Sequence, residues 1–346
     1  MRDKLSNQES NYFQTVEYIS TEKALRSLIP NYPKMLDKRI QSSLDFFSLE
    51  FIGVAKIAFL ASNSDTGKIL AIDVNNDINL KNNTHFTFKK LLTFGQNNSR
   101  SLNASIYFMA PGVGHGLRIN GTLSNDEQCT DITTSTFNIE AVYFHCARAA
   151  ARAELWKQFE PNKITEDNII QHSPFLLLKT MNAQGKTELS PRGDEPGFVK
   201  IVSEKIILLP ERPGNKIAVS LRNIIICPDI EIIFLVPNST KDLNIKAKAK
   251  IISDKTLLEQ CTVKGKTPKT GILIQIESSQ FSSDFTFDEC DMWNHKNTLE
   301  SSNVEKNSIT SFSKALSAHI NGTGLLGKAT NAVVSTVVKH DMKNLY

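Results

Sequence analysis

Over most of the chain, apolar positions fall in short runs separated by turn residues. IAFLAS (57–62), NSDTG and KILAIDV (68–74) read as strand, turn and strand. SIYFMAP (105–111), GVGHG and LRINGTL (117–123) read as a second hairpin, and FNIEAVYF (137–144) as a further strand. HCARAAARAELW (145–156), rich in Ala and Arg, predicts a helix. Ahead of these strands, residues 20–55 carry apolar positions at helical spacing. Ser20 and Thr21 can cap a helix starting near Glu22, and Pro30 and Pro33 break it. A second helix over 34–50 places Leu36, Ile40, Leu44 and Phe47 on one face. Residues 1–17 are polar and read as a loose start.

The same order then recurs. FLLLKT (175–180), MNAQG and KTELSPR (186–192) match the first hairpin without a gap, Gly185 falling on Gly67. EIIFLVP (231–237), NSTKD and LNIKAKA (243–249) match the second, Pro237 falling on Pro111. GILIQIESSQF (271–281) matches the strand ending at Phe144. The offsets are 118, 126 and 137 residues, so the second copy carries insertions. Three ordered matches point to an internal duplication of a small antiparallel barrel or sandwich. The polar, proline-containing stretch QFEPNKITEDN (158–168) reads as the link. The expected organisation is a loose 1–17, a first copy with helical lead-in over 18–160, a second copy over 161–285, and a connector with terminal helices over 286–346.

Composition narrows the class. The 346 residues are 40% hydrophobic and 22% charged, a globular balance that excludes a disordered or collagenous chain. A net charge of +4 gives no reason to expect a nucleic-acid partner. No apolar run is long enough to span a bilayer, and MRDKLSNQES has no secretory h-region, so a cytoplasmic protein without a membrane partner is expected. Five scattered cysteines without a C-x-x-C pair suit free thiols, not a disulfide framework or a metal site.

The strings SPRGDEPGFV (190–199), LLPERPGNKIAVSLRNI (208–224) and EAVYFHCARAAARAELW (140–156) carry a more specific signal. Together they resemble the pyridoxamine 5′-phosphate oxidase-like, FMN-binding split-barrel flavoproteins. The closer likeness is to the subgroup with S-P-R-G-D-x-P-G-F, R-P-G-N and F-H-C-A-[KR]-A motifs. The resemblance spans roughly 18–281. It implies a mainly β (α+β) fold: two tandem antiparallel split β-barrels forming an intramolecular pseudo-dimer, with flanking helices. It also implies FMN as cofactor, in a groove touched by both halves.

The two copies keep different halves of the signature. The gapless match puts Ile72 and Val74 where the second copy has Ser190 and Arg192. Asn244 and Lys246 stand where the first copy has Arg118 and Asn120, and Ser282 and Ser283 where it has His145 and Cys146. The second copy also lacks the basic alanine helix. This complementary loss predicts one competent FMN site and one decayed site.

A phosphate dianion requires fixed positive charge and N–H donors. Arg192, Arg212, Lys216 and Arg222 lie close to Ser190, Gly193, Gly214, Asn215 and Ser220, which leave room for one. The resemblance places Ser190 and Arg192 on the flavin-facing strand, and Lys216, Ser220 and Arg222 on or before a helix whose N–H groups could face the anion. It also places the backbone of Arg192, Gly193, Asp194 and Glu195 along the ring edge. From the first copy, Arg118 and Asn120 lie on one strand. Positions His145, Arg148, Arg152 and Trp156 share one face of the helix expected there. The bland alternatives are solvated charges and, for Trp156, a core position. His145 is a candidate proton donor to a reduced flavin; no other catalytic residue is indicated.

GTGLLGKA (322–329) fits G-x-G-x-x-G and most of a P-loop, but Ala329 stands where magnesium binding requires Ser or Thr, and no strand precedes it. Residues 306–342 read better as two helices with a glycine break, with Leu316, Ile320, Val333, Val334 and Val337 available to pack on the barrels or a partner. The stretch 282–305 reads as a loose connector. The sequence thus points to an oxidoreductase passing a hydride or electrons between FMN and a small-molecule substrate, with NAD(P)H or oxygen as redox partner. The alternatives are a flavin-binding or decayed scaffold or sensor, or a related barrel holding haem or a deazaflavin.

Overall fold

The computed structural model describes residues 13, 15–64, 68–89, 101–125, 134–157, 163–294 and 311–346. Helix α1, Glu22–Leu28, starts where expected: Thr21 caps it, its Oγ accepting from the Ala24 N–H at 3.2 Å. The helix expected over 34–50 does not form. A 3₁₀ turn covers Lys34–Arg39, and α2 runs Phe46–Val54. Two local features divide them. Gln41 bridges Val142 in both directions, at 2.9 and 2.8 Å, which extends the chain. Asp45 and Ser48 then form a capping box that starts the helix at Phe46. Ile40 is left exposed, whereas Leu44 is buried.

The first copy continues with β1 (Ile57–Ser62), β2 (Leu70–Asp73), α3 (Val74–Asp77), β3 (Ile78–Leu80), β4 (His85–Phe88), β5 (Ser101–Met109), β6 (Gly116–Asn125), β7 (Ser135–His145) and α4 (Arg148–Arg152). Its seven strands form one antiparallel sheet, in the order β2-β1-β5-β6-β7-β4-β3. The second copy comprises α5 (Ile169–His172), β8 (Phe175–Met181), β9 (Thr187–Gly193), β10 (Lys200–Ser203), β11 (Ile206–Pro210), α6 (Val219–Ile226), β12 (Asp229–Leu235), β13 (Lys241–Ile252), α7 (Lys255–Glu259), β14 (Gly271–Ser283) and α8 (Thr286–Glu289). Its sheet order, β9-β8-β12-β13-β14-β11-β10, is the first order with every strand advanced by seven. The irregularities coincide as well: β6–β7 slips between Asn120 and Gly121, and β13–β14 between Lys246 and Ala247, 126 residues on.

The register corrects one sequence match. Nine residues separate the paired Leu60 and Leu70, but eleven separate their counterparts Leu178 and Ser190. The second hairpin is therefore two residues longer, and Leu70 and Ile72, not Ile72 and Val74, stand opposite Ser190 and Arg192. The first barrel still has neither hydroxyl nor guanidinium at these positions.

Each barrel has its own core, and a third cluster joins them. Ala58 and Leu60 point into the first barrel, while Ile57, Phe59 and Ala61 point into the seam. Leu176 and Leu178 likewise fill the second barrel, and Phe175 and Leu177 the seam. Strands β1 and β8 are thus apolar on both faces because both faces are covered. Across the seam, Tyr107 and Met109 of β5 share a cluster with Ile233 and Leu235 of β12. The result is two tandem antiparallel split barrels packed as an intramolecular pseudo-dimer, with flanking helices.

The helical lead-in does not belong to the first barrel alone. Ile19 and Leu25 lie in the second barrel's core, and the Ile19 N–H donates to Ile251 O at 2.7 Å. Phe13, in the stretch expected to be loose, is buried against Ile206, Leu208 and Leu273. The stretch expected to be a connector is also structured in part: α8 and the residues after it place Phe287, Cys290 and Met292 in the seam. Beyond it, α9 (Phe312–Asn321) and α10 (Leu325–Lys343) form the two helices expected. Ile320 is buried and Leu316 and Val334 are half-buried, whereas Val333 and Val337 are 65% and 53% exposed. The link at 158–168 lies partly outside the described residues. No described helix is long and apolar enough to cross a membrane.

Candidate functional site

An open cleft runs along the seam where β6, β7 and α4 of the first copy meet β9 and the 210–220 segment of the second. Its inner end is built on Arg118, which is 1% exposed. Arg118 Nη1 crosses the seam and donates to Leu189 O at 2.6 Å and to Ser190 Oγ at 3.1 Å, while Nη2 pairs with Glu188. The Tyr143 hydroxyl donates to the same carboxylate at 2.8 Å. The guanidiniums of Arg118 and Arg39 lie 4.4 and 5.0 Å from the Tyr143 ring centroid. Burial pushes the Arg118 pKa down to about 10, against the pull of Glu188.

His145 is the last residue of β7. Its ring lies 5.6 Å from those of Tyr107 and Tyr143, and its buried Nε2 has no hydrogen-bond partner. Burial, reinforced by Arg118, Arg39 and Arg192, holds its pKa well below the usual histidine value. The ring is therefore neutral and offers an N–H or a lone pair, not the charge expected of an imidazolium acid. Arg192 Nη2 lies 3.3 Å from Glu211 Oε2, and its buried Nε also lacks a partner. Gly193 allows α4 to sit directly on β9: a Cβ there would lie 2.3 Å from Ala149 O.

The outer end is cationic. Arg148 Nη1 and Arg152 Nη2, on α4, donate to Pro213 O at 3.0 and 2.6 Å and so lash the 211–218 loop across the cleft. That loop enters α6 through Lys216 and Ala218, both left-handed, at φ 63° and 55°. Helix α6 has no side-chain cap, so its first N–H groups, beside the cleft-lining Val219 and Ser220, remain available to an anion. Arg212 lies beneath, its Nε 2.5 Å from Asp194 Oδ2.

Ten of the sixteen expected residues thus line one cleft: Arg118, His145, Arg148, Arg152, Ser190, Arg192, Gly193, Arg212, Asn215 and Ser220. The other six do not. Asn120 is turned away and accepts from Ser105 Oγ at 2.8 Å. Asp194 is buried behind the cleft holding Arg212, and Glu195 is exposed. Lys216 lines a neighbouring cavity, and Arg222 points back to Glu22, 3.8 Å away. Trp156 donates to Val113 O at 2.9 Å and packs 5.9 Å from Trp293. The four-residue stripe fails because α4 is only Arg148–Arg152, and Glu154, left-handed at φ 47°, ends it. Sequence reasoning missed Arg39, Tyr143 and Glu211. Arg39 had no sequence signal, since only the Gln41–Val142 bridge carries its turn to β7.

The counterpart seam is closed. Asn244, in the place of Arg118, accepts from the Ile69 N–H at 2.9 Å and donates to Asp242 at 2.8 Å. A short helix follows β14, but it is the acidic TFDE and not a basic alanine helix, and it packs on β2 as α4 packs on β9. Its Phe287 fills the seam, 6.1 Å from Phe59.

No protein-family profile matches the chain, and no curated protein does. Among solved structures it is similar to HupZ of Group A Streptococcus, at 17% identity over 35% of this chain and 94% of that one, TM-score 0.29. A putative pyridoxamine 5′-phosphate oxidase from Lactobacillus delbrueckii matches at 17% over 36% and 98%, TM-score 0.27. HutZ, the haem storage protein of Vibrio cholerae, matches at 17% over 34% and 90%, TM-score 0.25. Each match covers about a third of this chain.

Proposed function

We propose that the chain is a duplicated split-barrel flavoprotein that holds one FMN in the seam cleft and serves as an oxidoreductase for a small organic substrate. One observation carries this reading. The cleft is completed by cationic and hydroxyl groups that neither copy possesses alone, while the equivalent seam is filled by Phe287. The fit to a flavin mononucleotide rests on the donor set. Six arginines line the cleft, and Arg118 Nε, Arg192 Nε and His145 Nε2 are buried polar atoms without partners.

In this reading Arg148, Arg152, Ser220 and the start of α6 hold the phosphate, and Ser190, Arg192 and His145 lie toward the ring. FMN, when bound, supplies the hydride or electron transfer. The protein's part is to bind, to orient and to exclude water, and His145 contributes a neutral hydrogen-bonding nitrogen at the inner end. NAD(P)H or oxygen is the redox partner envisaged.

Titration of the purified protein tests the proposal. Oxidised-flavin absorbance saturating at one equivalent per chain is expected. Two equivalent flavins, a Soret band with added haem in place of flavin binding, or no uptake of either would overturn it. Reduction of bound flavin by NAD(P)H, or its rapid reoxidation by oxygen, separates an enzyme from a binder.

A further inference from the structure

Helix α10 is weakly held along its length. Of its 19 residues only Gly327 is buried, and Leu325 and Leu326 are 86% and 75% exposed. Its root is secured by α9, where Ala315 enters the first barrel's core and His319 pairs with Asp45 at 2.6 Å. Its far end behaves differently. Asp341 Oδ2 lies 2.6 Å from Arg148 Nη2, and Leu345 O accepts from Arg152 Nε at 2.8 Å. The Tyr346 hydroxyl donates to Asp194, and its ring lies 5.7 Å from the guanidiniums of both Arg152 and Arg212.

These contacts share one chemistry. A carboxylate, a carbonyl oxygen and the negative face of an aromatic ring all satisfy the cations at the outer end of the cleft. The tail offers them what an anionic ligand would offer. Val334, Val338 and Met342 are half-buried, and Ser335 donates to Ser313 Oγ at 3.0 Å, so α10 rests on α9. Its far end is tied to the cleft by those polar contacts, each of which water or an anion can replace at modest net cost.

We propose that residues 341–346 are a displaceable strap: they bind the cations at the outer end of the seam cleft, and a phosphate-bearing ligand enters by exchanging with them at Arg148 and Arg152. Where that ligand is FMN, the inference rests on the reading given above; the strap itself requires only a phosphate monoester or pyrophosphate. Ligand loading is then governed by the fraction of chains whose strap is open, because apparent affinity falls by that fraction.

The test compares the full chain with its Asp341→Asn/Tyr346→Ala variant. Two readouts are taken: FMN binding by flavin fluorescence, and hydrogen exchange of the peptide spanning 340–346, with and without FMN or pyrophosphate. The variant should bind FMN about tenfold more tightly. FMN should also deprotect the tail peptide in the unaltered chain. If FMN binds both proteins equally and leaves tail exchange unchanged, the strap is refuted while the flavin site stands. If neither protein binds FMN but pyrophosphate deprotects the tail, the strap stands and the flavin reading fails. If neither anion changes tail exchange, the strap is refuted.

Discussion

Arg118 and Asn244 occupy the same position in their two sheets and reach across the seam to equivalent backbone, but with opposite polarity. Arg118 donates to Leu189 O, whereas Asn244 accepts from the Ile69 N–H. One contact carries a cation into a cleft. The other closes a seam with a neutral amide braced by Asp242, which Ser282 Oγ also reaches at 2.9 Å. The two seams therefore differ in charge at this pair.

Removing the two side chains should therefore have unequal effects. Arg118→Ala leaves Glu188 with only the Tyr143 hydroxyl among the partners described above, and should cost about 3 kcal/mol together with flavin binding. Asn244→Ala leaves one buried N–H unsatisfied and should cost about 1–2 kcal/mol without changing flavin affinity. Urea unfolding and flavin titration measure both.

The corrected hairpin register supplies a paired control on the proposed cofactor site. Arg192→Ala should weaken FMN binding by at least about tenfold, since a charge-assisted contact is lost. Ile72→Ala, at the equivalent first-copy position, should cost stability through the cavity it leaves, about 2–4 kcal/mol, and leave affinity unchanged. Equal losses of affinity in the two variants would place the site elsewhere.

How much of this was legible in the chain follows from which forces are local. The strands were readable because turn residues punctuate them, even where β1 and β8 lose their alternation to burial on both faces. That each barrel has only one of Arg118 and Arg192 at the matching positions was readable because it is a matter of residue identity. Other features were fixed at a distance. Ungapped matching could not register two extra residues in the second hairpin. Helical periodicity continued through Glu154, whose left-handed backbone stops α4 short of Trp156. Arg39 reaches the cleft through a bridge between residues a hundred positions apart. Nothing in TFDEC announced that Phe287 would plug the counterpart seam.

Within the second barrel, Lys179 and Glu231 are cross-strand neighbours whose charges meet at 2.6 Å, both almost fully buried. Glu231→Gln leaves the ammonium uncompensated and should destabilise by about 3–5 kcal/mol. The double change Lys179→Met/Glu231→Leu removes both charges and should recover most of that loss. Guanidinium unfolding midpoints decide the matter, and a double variant no more stable than the single one would contradict this account.

His115 gives the fold a defined acid sensitivity. Its ring is enclosed by Phe51, Phe144 and Phe312, at centroid distances of 5.3, 5.6 and 6.1 Å, and burial alone lowers its pKa from 6.5 to about 4. Above pH 6.5 the ring is neutral whether the chain is folded or not, and it adds no pH dependence. As the pH falls, the unfolded chain takes up the proton first, so stability declines until the folded ring also titrates near pH 4. The loss over that window is on the order of 3 kcal/mol. His115→Phe keeps the apolar contacts and removes the titration, so its stability should fall less steeply between pH 6.5 and 4. Because His145 is also held neutral by burial, some slope should persist in the variant and lessen further when that ring is replaced as well. Thermal midpoints measured across this range would expose the error if the two proteins ran parallel.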